Sequence, residues 1–250
     1  VDNHHPNGEY RVKVKFPWIR STEVGDEEDF VSSWARVSTQ FAGPGRGFYC
    51  LPEPDDEVLV MFEHGDLRRP YVIGTLWNGK DHPPVNMESA DDSVDPMGVD
   101  LGISGACVDN GNIARTNKGR FIKSRSGHLL LFDDGWQAGS EKIVIKTQRG
   151  HVLVLSDRRG GGGIALYDST GEEFLYFDEV RKKITLESSN GDIDIRCPNG
   201  TLNIEAQEIR TSASMNADHE AGTSMTHTAA TVNIEGASSV EVKGGRIDLN

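Results

Sequence analysis

The sequence predicts an all-β chain in two parts, a small N-terminal barrel and a long stack of short strands behind it. Three observations lead there. Apolar and polar residues alternate over short runs, the period of a half-buried strand. Glycine is abundant, 28 of 250 residues, and hydrophobic residues make up only 36%, which favours many turns and much exposed strand. Texture also changes along the chain: nine of the ten prolines precede residue 100, and no Phe, Trp or Tyr follows Phe177.

The barrel strands come first. Residues 10–16 (YRVKVKF) alternate apolar and basic, and Pro17, which cannot donate to a ladder, is expected to end that strand. Residues 21–29 read as an acidic loop. Residues 34–41 (WARVSTQF) alternate again, and 57–63 (EVLVMFE) is an apolar run bounded by acids. Residues 71–77 (YVIGTLW) form another strand closed by the turn pair Asn78-Gly79, with Gly74 marking a bulge or barrel corner. Four or five short strands with long loops suit an OB-like barrel. The domains expected are a barrel over 1–85, a Gly/Asp/Ser-rich linker over 86–126, and a repetitive shaft over 127–250.

The shaft rests on recurring apolar-x-apolar pairs. Leu129/Leu131, Ile143/Ile145, Val152/Val154, Ile164/Leu166, Leu175/Phe177, Ile184/Leu186, Ile193/Ile195 and Leu202/Ile204 follow one another, the last five starting 11, 9, 9 and 9 residues apart. Val232/Ile234, Val240/Val242 and Ile247/Leu249 resume after a gap. Two inward side chains per strand cannot close a core alone, so the strands must stack within one chain or between several. Residues 211–231 break the pattern with Ala and Met, and a short helix over 213–221 is one reading of them. About 14 strands spaced ~4.8 Å apart would give a shaft of roughly 60–70 Å.

Charge narrows the function. The net charge is −13, and residues 1–100 carry 9 Lys/Arg against 19 Asp/Glu, a net −10. That is the wrong sign for a nucleic-acid-binding barrel or a polybasic membrane anchor. Cys50, Cys107 and Cys197 have no metal or disulfide spacing and read as reduced, buried thiols. Adjacent carboxylates at Glu27-Glu28, Asp55-Asp56, Asp91-Asp92 and Asp133-Asp134 would need to face each other across a cleft to hydrolyse a glycan. Neighbours on a strand point to opposite sides, so solvated loops are the plainer reading. The Arg158-Arg159-Gly160 to Gly163 run lacks the Lys-Ser/Thr of a phosphate loop and reads as a corner. The basic run Arg115, Lys118, Arg120, Lys123 and Arg125 is expected to pair with acids of a neighbouring protomer. His227 is the one weak metal candidate, since three copies of an inward His would make a ring of ligands. No cofactor is expected.

Several segments together resemble one family. Residues 10–18 (YRVKVKFPW), 47–52 (GFYCLP), 56–62 (DEVLVMF), 65–79 (GDLRRPYVIGTLWNG) and the GHLLLFDD run from Gly127 follow, in order, motifs of the valine-glycine repeat protein G (VgrG) and phage baseplate protein V spike family. Asp55 stands where that family usually has Gly. The resemblance implies an all-β protein: an N-terminal OB-fold barrel followed by an intertwined trimeric β-helix (β-prism) shaft. It implies no enzyme but the central spike of a contractile injection apparatus. Such a spike is assembled in the cytoplasm, becomes part of the baseplate, and is delivered outside the cell or into a target cell.

The partners implied are two further copies in a homotrimer, a PAAR-type tip protein, baseplate hub and inner tube proteins, and transiently a target membrane. Nucleic acid is not among them. The hub usually precedes the barrel, and the opening Val1 reads as the start of a piece of a longer chain. The trimer core would comprise Ile184, Leu186, Ile193, Ile195, Leu202, Ile204, Val232, Ile234, Val240 and Val242. The tip protein would meet Ile247, Asp248, Leu249 and Asn250. The competing readings are a single-chain β-solenoid enzyme acting on polysaccharide and a trimeric receptor-binding fibre.

Overall fold

The computed structural model describes residues 2–20, 29–83, 119–134 and 138–247. Strands and turns make up its regular structure, apart from one short 3-10 turn at Glu63–Gly65. Contacts divide the chain into one unit over Val1–Ile193 and a second over Asp194–Asn250.

Eight strands build the barrel: β1 (Arg11–Val12), β2 (Lys15–Arg20), β3 (Asp29–Val31), β4 (Ala35–Val37), β5 (Ala42–Gly43), β6 (Arg46–Gly47), β7 (Glu57–Phe62) and β8 (Pro70–Leu76). Four of them form a sheet in the order β1-β4-β8-β7, with β4 and β8 parallel. Val12, Val14, Phe16, Ala35 and Val72 are its buried core. Phe16 stacks on Phe30 and leans on Phe62, with ring centroids 5.9 and 5.7 Å apart. The Tyr10 hydroxyl donates to the Cys50 carbonyl at 2.7 Å and accepts the Cys50 N–H at 3.1 Å, tying a long connection to the start of β1.

Pro17 does not end its strand. It lies inside β2, where pairing jumps from Phe16↔Phe30 to Arg20↔Asp29, an irregularity that frees the Pro17 position from the ladder. The strand expected over 34–41 shortens to β4, and a tight β5–β6 hairpin follows, turning at Gly45 with φ +67°. The bulge expected near Gly74 forms: Leu59 pairs with Gly74 and Val60 with Val72, leaving Ile73 as the extra residue. Asn78 closes β8 by accepting the N–H groups of Lys80 and Asp81 on its side-chain oxygen. Of the acidic loop expected over 21–29, residues 21–28 lie outside the described residues and Asp29 instead begins β3.

The second sheet is a seven-stranded antiparallel meander, β9 (Gly119–Lys123), β10 (Leu129–Asp133), β11 (Lys142–Lys146), β12 (Val152–Ser156), β13 (Gly163–Tyr167), β14 (Glu173–Asp178) and β15 (Lys183–Ser188). It starts eight residues before the expected boundary at 127. Strand β9 falls in the stretch read as linker because Arg120 and Lys123 hide the short Phe121-Ile122 core. Each strand pairs with its neighbours in the same chain. Interwinding with other chains, expected from 127 onward, is therefore not needed to complete the ladder between residues 119 and 188.

Beyond β15 the picture changes. Residues 191–247 have no helix or strand, and every one is exposed. The helix considered over 213–221 is absent, as the β-branched and short polar residues around it would suggest. Cys50 and Cys197 are exposed rather than buried, because each sits in a connection or extended segment outside the two cores. Cys107 lies outside the described residues.

Two substitutions test this packing. Asp133 and Lys142 are cross-strand partners, both buried, with Oδ2 and Nζ 3.8 Å apart. Asp133→Ala leaves the ammonium without that carboxylate and should cost about 3–5 kcal/mol in urea unfolding. A Cβ on Gly163 would run into the Phe177 carbonyl oxygen of the adjoining strand. Gly163→Ala should therefore lower stability by about 1–3 kcal/mol, read in the same assay.

Candidate functional site

Strand register sorts the meander into two faces, because paired residues share a side and neighbours alternate. One face carries Leu131, Val144, Val154, Ala165 and Tyr176 in one row, and Leu129, Val152, Tyr167 and Phe174 in the next. This is the packed face, and all but Leu129 belong to the buried cluster. The opposite face carries Arg120, Phe132, Ile143, Leu155, Ile164, Phe177 and Ile184 in one row. Its second row is Ile122, Leu130, Ile145, Leu153, Leu166, Leu175 and Leu186. Ten of these apolar side chains are exposed, from 36% at Ile143 to 65% at Ile184. A bare apolar face of this extent marks a surface that something else covers.

The sequence pairs do not all share one side. Leu129/Leu131 and Val152/Val154 lie on the packed face, while Ile143/Ile145, Ile164/Leu166, Leu175/Phe177 and Ile184/Leu186 lie on the bare one. Strands β10 to β14 are apolar on both faces (LLLF, IVI, VLVL, IALY, FLYF), so spacing alone cannot say which pair faces which way. Leu130, Phe132, Leu153 and Leu155 were missed for that reason, and Ile122 because β9 lies in the stretch read as linker. In β15 the ambiguity ends: Lys183, Thr185 and Glu187 occupy one face, Ile184 and Leu186 the other.

The second unit keeps that one-sided chemistry. Asp194 pairs with Arg196, Glu208 with Arg210 at 2.7 Å, and Glu241 with Lys243 at 2.7 Å. Side chains two apart in an extended chain share a side, so Ile195, Ile209 and Val242 between them point the other way. Ile193, Ile195, Leu202, Ile204, Val232, Ile234, Val240 and Val242 are all exposed, as is Ile247. Asp248, Leu249 and Asn250 lie outside the described residues. Met215 and Met225 are exposed in the stretch that lacks aliphatic pairs.

The remaining candidates carry less. A cavity of about 660 Å³ opens between β1–β2 and β7, lined by core residues such as Val14, Phe16, Val60 and Phe62 with Asp55, Asp56 and Glu57 at its edge. Asp56 accepts the Glu53 N–H, so this pair of carboxylates is part of a turn. Glu27-Glu28 and Asp91-Asp92 lie outside the described residues. Among the described residues no three His, Cys, Asp or Glu come together to hold an ion, and His227 is exposed in extended chain. Arg158 to Gly163 turns between β12 and β13, its Arg159 N–H donating to Gly139 at 2.8 Å. Arg125, expected to reach a neighbouring protomer, instead pairs with Glu53 of its own chain. Arg115 and Lys118 lie outside the described residues. No helix of the described residues is long and apolar enough to cross a membrane.

Two carboxylates are held well below their ordinary range. Hydrogen bonds from the Arg68 guanidinium and backbone N–H bring Asp66 down to about 2. At Asp168, desolvation pushes upward but is outweighed by the Thr170 hydroxyl and by backbone N–H donors, and the result is again about 2. Both folded values lie below the unfolded one, so their stabilisation is present above about pH 4 and lost as pH falls toward 2. Thr170→Val should move the Asp168 midpoint back toward 3.8, the ordinary value, in a carboxyl NMR titration.

An OB-type barrel, a strand meander with one uncovered apolar face, and a further segment without helix or strand define an all-β protein. Sequence comparison is specific about which kind. Residues 1–77 match the type VI secretion system/phage-baseplate injector OB domain. The spike protein VgrG2a of Pseudomonas aeruginosa is 36% identical over 74 residues, 30% of this chain and 8% of that protein. The actin cross-linking toxin VgrG1 of Vibrio cholerae is 38% identical over 77 residues, 31% of this chain and 7% of that one. VgrG3 of Vibrio cholerae, named a type VI secretion system spike protein, is 27% identical over 139 residues, 56% of this chain and 11% of its own length. The chain is thus VgrG-like, with the injector OB domain at its N-terminal end, and spans about a tenth or less of these relatives.

Proposed function

We propose that the chain is the non-catalytic central spike of a contractile injection apparatus, a phage tail-like particle or a type VI-like system. The observation that carries the reading is the state of residues 194–247. They have the apolar-x-apolar spacing of strands, with acid–base pairs on the other side, yet no ladder partner in their own chain. Backbone N–H and C=O groups and bare Ile and Val side chains both call for neighbours. Two further copies supply them if the chains wind together about a three-fold axis. Ile184, Leu186, Ile193, Ile195, Leu202, Ile204, Val232, Ile234, Val240 and Val242 then form the trimer core of an intertwined β-prism, within the shaft 127–250.

Such a rod has no long free strand edges and is stiff under axial load, which suits piercing an envelope. Ile247, Asp248, Leu249 and Asn250 are the residues assigned to contact with a PAAR-type tip protein, while the barrel joins a hub and inner tube. The spike is assembled in the cytoplasm and delivered outward as part of the baseplate. The relatives' names and the injector OB domain support this reading over a polysaccharide-active solenoid, whose strands would find partners within one chain. They support it likewise over a receptor-binding fibre.

Light scattering after size exclusion is the test. A mass near three times 27.4 kDa, unchanged on dilution, is expected. A monomer with a complete strand signal in circular dichroism would favour the solenoid.

A further inference from the structure

We propose that the bare face of the meander is where three copies of this chain first dock, so that the sheet over residues 119–188 nucleates the trimer and the segment over 194–247 winds afterwards. The inference rests on the trimeric reading above and adds to it a surface and an order.

The order follows from hydrogen bonding. Every strand from β9 to β15 finds its ladder within one chain, and the packed face closes around Leu131, Val154 and Tyr176 without help. A single chain can therefore hold this sheet before it meets another. Residues 194–247 have no such ladder. Ordering an extended segment costs about 1–2 kcal/mol of backbone entropy per residue, with nothing to offset it until neighbours are present. Bringing three free segments together at once is slow; holding their bases side by side first makes the winding intramolecular.

The occupant follows from the shape and charge of the face. It is two side chains wide and seven strands long, a stripe of roughly 7 Å by 29 Å from ordinary strand spacings. Within these two rows the only charged position is Arg120, at one end, and Glu173 of β14 flanks the second row on the same face. A stripe so narrow would leave most of a globular partner's surface unused, whereas three identical stripes turned to one axis cover each other completely. Ile184 and Leu186 end the stripe, across from Phe177 and Leu175, and they also begin the one-sided pairs assigned to the trimer core. The stripe and the distal segment therefore share one side-chain chemistry.

The experiment uses the full chain and three variants. Leu166→Asp places a carboxylate mid-stripe, Ile122→Glu places one on the outermost strand, and Ile204→Asp places one in the distal segment. Mass is read by light scattering, distal exposure by limited proteolysis, and the packed face by the near-ultraviolet circular dichroism of Tyr167 and Tyr176. The expected result is that Leu166→Asp falls to 27.4 kDa with its tyrosine signal kept and its distal segment cleaved. Ile204→Asp should stay trimeric while its distal segment becomes cleavable. If Leu166→Asp loses the tyrosine signal, Ile122→Glu decides, and it should weaken the trimer at least tenfold on dilution. Trimers undisturbed by both face variants would overturn the proposal, and so would a monomeric Ile204→Asp. A wild-type chain that is monomeric at all concentrations would instead remove the trimeric reading itself.

Discussion

A β-strand is half of a hydrogen-bonded pair, and the need to complete that pair governs this chain from end to end. In the barrel the need is met by short strands that bend and bulge round a few aromatic residues, with Phe16 packed between Phe30 and Phe62. In the meander it is met by simple adjacency, each strand turning back on the one before. After β15 the chain still has strand-like chemistry but offers itself no partner. A protein that ended its folding there would expose about fifty residues of unpaired backbone. The deficit is the strongest physical reason to read the molecule as one part of an assembly.

The change at β15 is also a change in side-chain economy. Upstream, strands are apolar on both sides, one side for the chain's own core and one left bare. Downstream, only one side is apolar, and the other carries pairs such as Asp194–Arg196 and Glu241–Lys243. These exposed pairs contribute little stability, since solvent screens them. Their value lies in marking the outside: they keep one face of each segment wet, so that burial of the other fixes the register by the period-two rule. Aromatic rings disappear over the same boundary, and no Phe, Trp or Tyr follows Phe177.

Much of this was legible in the sequence. Barrel strands β7 and β8 and the irregularity beside Gly74 could be read from alternation and one glycine. The repeat placed an apolar pair in each meander strand from β10 to β15, but it missed β9 and also led to strands being expected at Ile193/Ile195, Leu202/Ile204, Val232/Ile234 and Val240/Val242, where the structure has none. What alternation could not give was facing, because IVI and VLVL are apolar in both phases, and only the ladder register separates Val144 from Ile143. Pro17 was misleading for a related reason. A proline forbids a ladder bond but not a strand, and β2 accommodates it by slipping register. In the basic run before the shaft, Arg125 finds Glu53 within reach in its own chain, while Arg115 and Lys118 lie outside the described residues.

These observations bear on how such a chain avoids its own hazards. Long unpaired strands and a bare apolar stripe are the features that drive non-specific aggregation. Here they are separated in kind. The stripe sits on a sheet whose five inner strands are paired on both sides, so that among its strands only the outer edges of β9 and β15 leave backbone groups open. Segments with free backbone carry acid–base pairs and many Thr, Ser and Asn residues, which keep them solvated until neighbours arrive. Division between a surface that recognises and a segment that winds would let a short chain reach a three-stranded state without passing through open-ended edge pairing. Gly163 illustrates how tightly the recognising part is made: its missing side chain lets β13 and β14 approach so closely that any Cβ would meet the Phe177 carbonyl.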